Sequence, residues 1–400
     1  MAAHEPLLRR HKPALLYDSQ ETYFADSAAE WTDNAGNTLC RKTGQVIAAQ
    51  PTLALDYLGA GTYPTGDPVE ETDLISDPAR DYRDQYARLR SSDRARYANR
   101  VYGRAIDGSD GRIWLQYWFW YFYNDYTLAF DIGLHEGDWE MVQLRLDRGL
   151  PDLAVYAQHA SAEVAQWADV KHPAGQPDTP LVFPGRGSHA SYFEPGLHET
   201  EVWYDLADGK RPAPELELEF FDDLKWAEWP GSWGDTPKGN PLEDASPVAP
   251  CRHRQWRDPA WLLNNARDHA KLEPAPAPEV DVSRRRDHLH LRYDLKSHPG
   301  DPPFGLVVTV NSRNEPTVAP HAHTYRLTDR GPGEIDDPMV PLDPRKRYDV
   351  YVSTTDSAGV PSASAGTVIP PLRGRSFDPR SILRAIGRVV AAVRRRLGRA

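Results

Sequence analysis

The stretch RIWLQYWFWYFYNDY, residues 112–126, limits the folds open to this chain more than any other. It is apolar at odd and even positions alike, so as a strand it is buried on both faces, as at the centre of a sheet covered from two sides. Such a strand needs neighbours to satisfy its backbone groups and layers to cover it. The next segment, HEGDWEMVQLRLD, runs from His135 to Asp147 and alternates. Successive side chains of a strand point to opposite faces, which places Asp138 and Glu140 with Val142, Leu144 and Leu146. Carboxylates on an apolar face are costly unless paired, so these two demand arginines or a metal ion.

The rest of the chain agrees with a mainly β fold. Twelve Trp and nineteen Tyr favour strands, and thirty-six Pro with twenty-eight Gly imply many turns between short elements. At 400 residues the chain exceeds one ordinary core. The alternating prolines of EPAPAPEV mark an extended linker at 273–280. It separates a large segment, 11–272, from a smaller unit, 281–370, that reads as the strands HLHLRYDL, FGLVVTVNS, HTYRLTD and YDVYVSTTD. The expectation is an N-terminal antiparallel β-sandwich with a helical insertion, a second β-sandwich, and a C-terminal basic amphipathic helix in 371–400. The insertion is expected in DPARDYRDQYARLRSSDRARYANRVYGRAI (77–106), where Pro78 suits a first turn and Tyr82, Tyr86 and Leu89 recur at i, i+4 and i+7.

Net charge is −11, yet the last thirty residues hold nine Arg against one Asp, so the body before them is more acidic still. An acidic body argues against nucleic acid as a partner. In the tail, Ile382, Ile386, Val389, Val390, Val393 and Leu397 form a helical stripe flanked by arginines. Residues 376–400 suit an anionic membrane surface or an acidic partner, and equally a helix docked on the acidic body. No run approaches the ~20 apolar residues of a membrane span. The N-terminal residues lack a secretory apolar stretch, so a cytoplasmic location is expected, peripheral to a membrane if the tail binds one. Cys40 and Cys251 are too few for a disulfide framework and read as separate thiols, with a single bridge the alternative.

Polar groups cluster around the two strands. Asp125 ends the aromatic run, and His135 precedes Asp138 by three. His159 follows Gln158 in YAQHAS, and His189 lies in PGRGSHASY with Arg186 and Ser188. Histidine with several carboxylates suits Mg²⁺, Ca²⁺ or Mn²⁺, with Zn²⁺ or Fe²⁺ an option if more histidines join. The bland alternative, carboxylates bridging buried arginines with histidines as core residues, stands beside it. Ser188-His189 is no nucleophile–base pair, because adjacent strand residues point oppositely, and no G-x-S-x-G is present.

The series LQYWFWYFYND, LHEGDWEMVQLRL, YAQHAS and FPGRGSHASYFEPGLHE resembles the Vps62 family (the plant DUF946-type proteins and their bacterial relatives). HKPALLYDSQETYF, WPGSWGD and PCRHRQWRDP extend the resemblance over about residues 11–265. More distantly, the His-x-x-Asp-Trp-Glu core is similar to that of the necrosis- and ethylene-inducing proteins. Those are β-sandwiches whose signature holds a divalent cation used in recognising sphingolipid headgroup sugars. By position the resemblance implies His135, Asp138 and Glu140 as metal-associated residues, with Asp125 a looser match. Glu136-Gly137 stand where that family has Arg-His, which leaves His159 or His189 to complete a site. Over 279–370, VPLDPRKRYDVYVSTTDSAGVPSASAG resembles fibronectin type III, with Tyr348 as its corner tyrosine.

Two functions follow as expectations. One is a divalent-metal-binding protein that recognises a polar small molecule, glycan or lipid headgroup through Asp138, Glu140, His135 and Asp125, with Gln158, Arg186 and Ser188 as ligand contacts. The other is a metal-dependent hydrolase with His159 or His189 as the catalytic general acid/base.

Overall fold

Strands hold 45% of the residues and helices 16%, so the chain is mainly β. The computed structural model describes residues 4–33, 36–50, 52–59, 61–77, 82–91, 99–108, 110–126, 134–159, 161–199, 204–235, 247–269, 277–296, 304–312, 321–327, 330–355, 362 and 365–372. The basic tail expected at 376–400 lies outside them. Two units are separable, Met1–Thr200 with Asp205–Glu273, and Pro274–Ala400 with Glu201–Tyr204.

The strands that frame the first unit's central sheet and site are, in chain order, β1 (Arg100–Asp107), β2 (Ile113–Asn124), β3 (His135–Asp147), β4 (Leu150–Gln158), β5 (Ser161–Gln166), β6 (Leu181–Pro184), β7 (Tyr204–Ala207), β8 (Glu217–Phe220) and β9 (Ala266–Asp268). The sheet has seven strands in the order β8-β1-β2-β3-β4-β5-β9. As its all-apolar sequence requires, β2 is central, with β1 and β3 antiparallel to it on either side. The sheet is not wholly antiparallel: β8 joins β1 and β9 joins β5 in parallel. Both edge strands arrive from far along the chain, so no hairpin dictates their direction.

The two faces of the sheet differ chemically. On one, Trp120 and Trp139 pack with Trp31, Trp226 and Trp233. A four-stranded sheet of Ser232–Trp233, Leu74–Ser76, Thr38–Cys40 and Val46–Ala49 contributes there. Trp226, Trp229 and Trp233 are thus core side chains. On the other face Tyr121 stacks against His189, just beyond β6. Strand β6 lies in a second four-stranded sheet with Ser191–Tyr192, Ala14–Tyr17 and Arg211–Pro212.

The expected helix exists over Tyr82–Ser91, where Tyr86 packs on Phe122 of β2. Its expected continuation into 100–106 is strand β1 instead. Val101 and Tyr102 are fully buried there, and pairing on both sides outweighs any local helical preference. Cys40 and Cys251 are free thiols, and Cys251 donates to the Trp229 carbonyl.

In the second unit, β10 (Val280–Arg285), β11 (His288–Tyr293), β12 (Phe304–Ser312), β13 (His321–Leu327), β14 (Gly333–Pro341), β15 (Tyr348–Thr355) and β16 (Ala365–Ile369) form two sheets. Their orders are β10-β11-β14 and β13-β12-β15-β16. Leu289, Leu291, Leu306, Val308, Val350 and Val352 fill the core. The Tyr348 hydroxyl accepts a hydrogen bond from the Asp343 N–H at 2.9 Å.

Candidate functional site

Strand β3 enters the site through Gly137, whose φ of 66° is left-handed. A Cβ there would stand 2.2 Å from both the Trp120 ring and the Trp233 carbonyl oxygen, so only glycine fits. The left-handed step breaks simple alternation. Glu136, which alternation would place beside Asp138, reaches instead to the end of the Leu74–Ser76 strand, where both carboxylate oxygens accept from Asp77 N–H at 3.1 Å. Beyond Gly137 alternation resumes: Asp138 lies opposite Tyr121 and Glu140 opposite Phe119.

Asp138 meets His189. The imidazole Nδ1–H donates to Asp138 Oδ2 at 3.0 Å, and Nε2 faces Glu21 Oε1 at 3.7 Å. The ring lies flat on Tyr121, with centroids 3.9 Å apart and planes 3° from parallel. Glu21 is itself fixed by three backbone N–H donors, those of Thr22, Tyr23 and Gly187. Gly187 and His189 both take left-handed backbone angles, which let the short 184–191 loop aim an N–H at Glu21 and an imidazole at Asp138. Burial pushes the His189 pKa down, but Asp138 and Glu21 overcome it and raise it to about 9. The ring is therefore charged at neutral pH.

A second pair forms alongside. His159, at the end of β4, places Nε2 3.0 Å from Oδ2 of Asp205 on β7, and the Tyr192 hydroxyl donates to the same oxygen at 2.6 Å. Burial pushes Asp205 up, yet His159 and Tyr192 hold it below the usual carboxylate range. Glu140 faces both groups of charge. Burial first, then the carboxylates Asp138 and Asp205, push its pKa well above the usual range. Unlike Asp138 and Asp205, Glu140 keeps partial exposure, and His159 is exposed at the same cluster.

Among the expected residues, Asp138, Glu140, His159 and His189 come together on the Tyr121 face. His135 turns away: Nδ1–H donates to the Gly137 carbonyl at 2.6 Å and Nε2 accepts from Asn124 Nδ2 at 2.8 Å. Asp125 is buried just past the end of β2. Gln158 serves the scaffold, donating to Glu163 and the Ser191 carbonyl and accepting from Arg267. Arg186 and Ser188 are buried in the 184–191 loop. The metal set implied by resemblance is not gathered in this geometry. His135 has spent both nitrogens, Asp138 Oδ2 is given to His189, and among the described residues no three His, Cys, Asp or Glu converge closely enough to hold a metal ion.

Glu21, Asp205, Tyr121 and Tyr192 are members that sequence reasoning missed. Asp205 had a readable signal, a lone acid inside the apolar YDLA strand. Glu21 had none, because YDSQETYF reads as an ordinary polar turn.

No family model matches the chain. A relative is found in Saccharomyces cerevisiae, described as "Putative vacuolar protein sorting-associated protein TDA6". It is 26% identical over 161 residues, with 29% of this chain and 34% of the relative covered. The similarity is distant. This chain spans about a third of that relative's length.

Proposed function

We propose that this chain is a Vps62-like recognition protein whose carboxylate–imidazole cluster binds a polar, hydroxyl-bearing ligand such as a glycan or lipid headgroup. One observation carries the reading. Glu140, a partly exposed residue, faces Asp138 and Asp205, and burial with these two carboxylates pushes its pKa well above the usual range. Ion pairs that serve only the fold close on themselves; this one leaves a strained carboxyl in the same cluster as the exposed His159. Carboxyl groups and imidazoles are common partners for sugar hydroxyls.

A divalent ion (Mg²⁺, Ca²⁺ or Mn²⁺) belongs to this proposal only as a companion of the ligand, because the described side chains would have to move to meet it. The second unit, read as fibronectin-like, and the basic tail suit attachment at a membrane surface. The relative's name speaks of vacuolar protein sorting, a setting that a headgroup-binding protein fits. Glycan and lipid-headgroup arrays, probed with the full chain with and without added divalent ions, test the proposal. Discrete positives that disappear in Asp205→Asn support it, and arrays without any positive contradict it. Liposome co-sedimentation with and without residues 376–400 tests the tail: equal binding removes its membrane role.

A hydrolase is the second reading, favoured by one feature. His159 is exposed and oriented by a buried carboxylate, as general bases are. His189 is the poorer base, since its ring is already charged at neutral pH. Turnover of phosphoester, ester or glycoside substrates that His159→Ala abolishes would establish it.

A further inference from the structure

Arg186 is 4% exposed, and among the described residues its guanidinium makes no hydrogen bond or ion pair; Nε and Nη1 are buried without partners. A buried cation without partners costs several kcal/mol, so such a group is normally paired. The carboxylates of its surroundings are already engaged. Asp18 accepts from the N–H groups of Gln20 and Asp208, and Asp208 accepts from Ser19 through both N–H and hydroxyl. Glu21 is engaged by three backbone amides and by His189, and Asp205 by His159, Tyr192 and Ser188. The charge of Arg186 acts on Asp18, but among the described residues it makes no ion pair. Its own N–H is used on the Leu206 carbonyl, so the backbone fixes the residue while the fork is left unspent. Two residues on, the Ser188 hydroxyl is 1% exposed and supports the Asp205 carboxylate, while the buried hydroxyl of Ser191 has no partner.

We propose that the 184–191 loop is an oxyanion-binding element, in which Arg186 takes a phosphate or carboxylate group through its guanidinium edge. This deepens the polar-ligand reading and rests on it: the ligand carries an anionic group beside its hydroxyls, as phosphorylated sugars and phospholipid headgroups do. A planar fork with two unspent N–H groups matches two oxygens of one anion, a geometry that lysine cannot reproduce.

The test compares the full chain with Arg186→Met, Arg186→Lys and Glu140→Gln. Inorganic phosphate represents a soluble anion, and phosphatidic acid in phosphatidylcholine vesicles represents a lipid one, with pure phosphatidylcholine vesicles as reference. Calorimetry and thermal unfolding are expected to show phosphate binding by the wild type that falls at least tenfold in Arg186→Met and is not restored by Arg186→Lys. Arg186→Met is also expected to melt higher than wild type without phosphate, since an unpaired buried charge is gone. Vesicle binding that depends on both phosphatidic acid and Arg186 assigns the anion to a lipid; phosphate binding alone assigns it to a soluble ligand. Equal phosphate affinity in wild type and Arg186→Met overturns the inference, as does no phosphate binding in either. If array positives still disappear in Glu140→Gln, only the anion inference has failed. If they never appear, the polar-ligand reading has failed with it.

Discussion

Charge on His189 is stabilised from two sides, by Asp138 at Nδ1 and by Glu21 across 3.7 Å at Nε2, while its face is spent on Tyr121. Its folded pKa of about 9 lies above the usual 6.5 of a free imidazole, so the native state binds the proton more tightly than the unfolded chain. The resulting stability is complete below about pH 6.5 and fades as pH rises through 9. It amounts to something on the order of 3 kcal/mol. Urea unfolding at steps between pH 6 and pH 10 should show wild type losing this increment relative to His189→Gln. Parallel profiles for the two proteins would mean that His189 is not charged in the fold. Asp138 and Glu140 were legible from alternation alone. Glu21 and Asp205 were not, since what recruits them is the folding-back of distant segments onto one sheet face.

At the scale of elements, β3 shows where pattern reading succeeds and where it stops. Alternation holds from Asp138 onward because each residue there pairs in register with β2. It fails at Glu136, because the left-handed Gly137 redirects the strand, and a glycine within a strand does not announce its φ. The helix over Tyr82–Ser91 is followed by strand from Arg100: VYGRAI, with Val101, Gly103 and Ile106, is a weak helix former, and its two sheet neighbours decide. Gly137→Ala should therefore cost roughly 2 kcal/mol or more, from strain at positive φ together with the Trp120 and Trp233 clashes. Thermal unfolding checks it. A variant as stable as wild type would show that β3 tolerates an ordinary conformation there and that the Glu136 diversion is not imposed by glycine.

For the whole molecule, the β-rich character followed from aromatic content and proline spacing, whereas parallel edge strands and the sharing of one sheet between early and late residues did not. Those features are long-range, and no local residue pattern encodes them. The two units have separate cores, so a local change in one should leave the other's unfolding unmoved. Tyr348→Phe removes the hydroxyl that accepts from Asp343 N–H and should lower the second unit's stability by about 1 kcal/mol. Differential scanning calorimetry should show that loss in one transition only; a shift in both would show that the units unfold together.

The claim that unites these scales is that the acidic cluster is kept for a ligand at a cost to the fold. Glu140 states it most sharply. Its folded pKa is raised, so the penalty of holding it grows as pH climbs above its ordinary range. Glu140→Gln removes that penalty while keeping size and shape. The measurement is a paired one, the melting temperature at pH 8 and array binding for wild type and Glu140→Gln. The variant should melt higher and bind nothing that wild type binds. A variant that melts lower, or that binds as wild type does, would contradict the account.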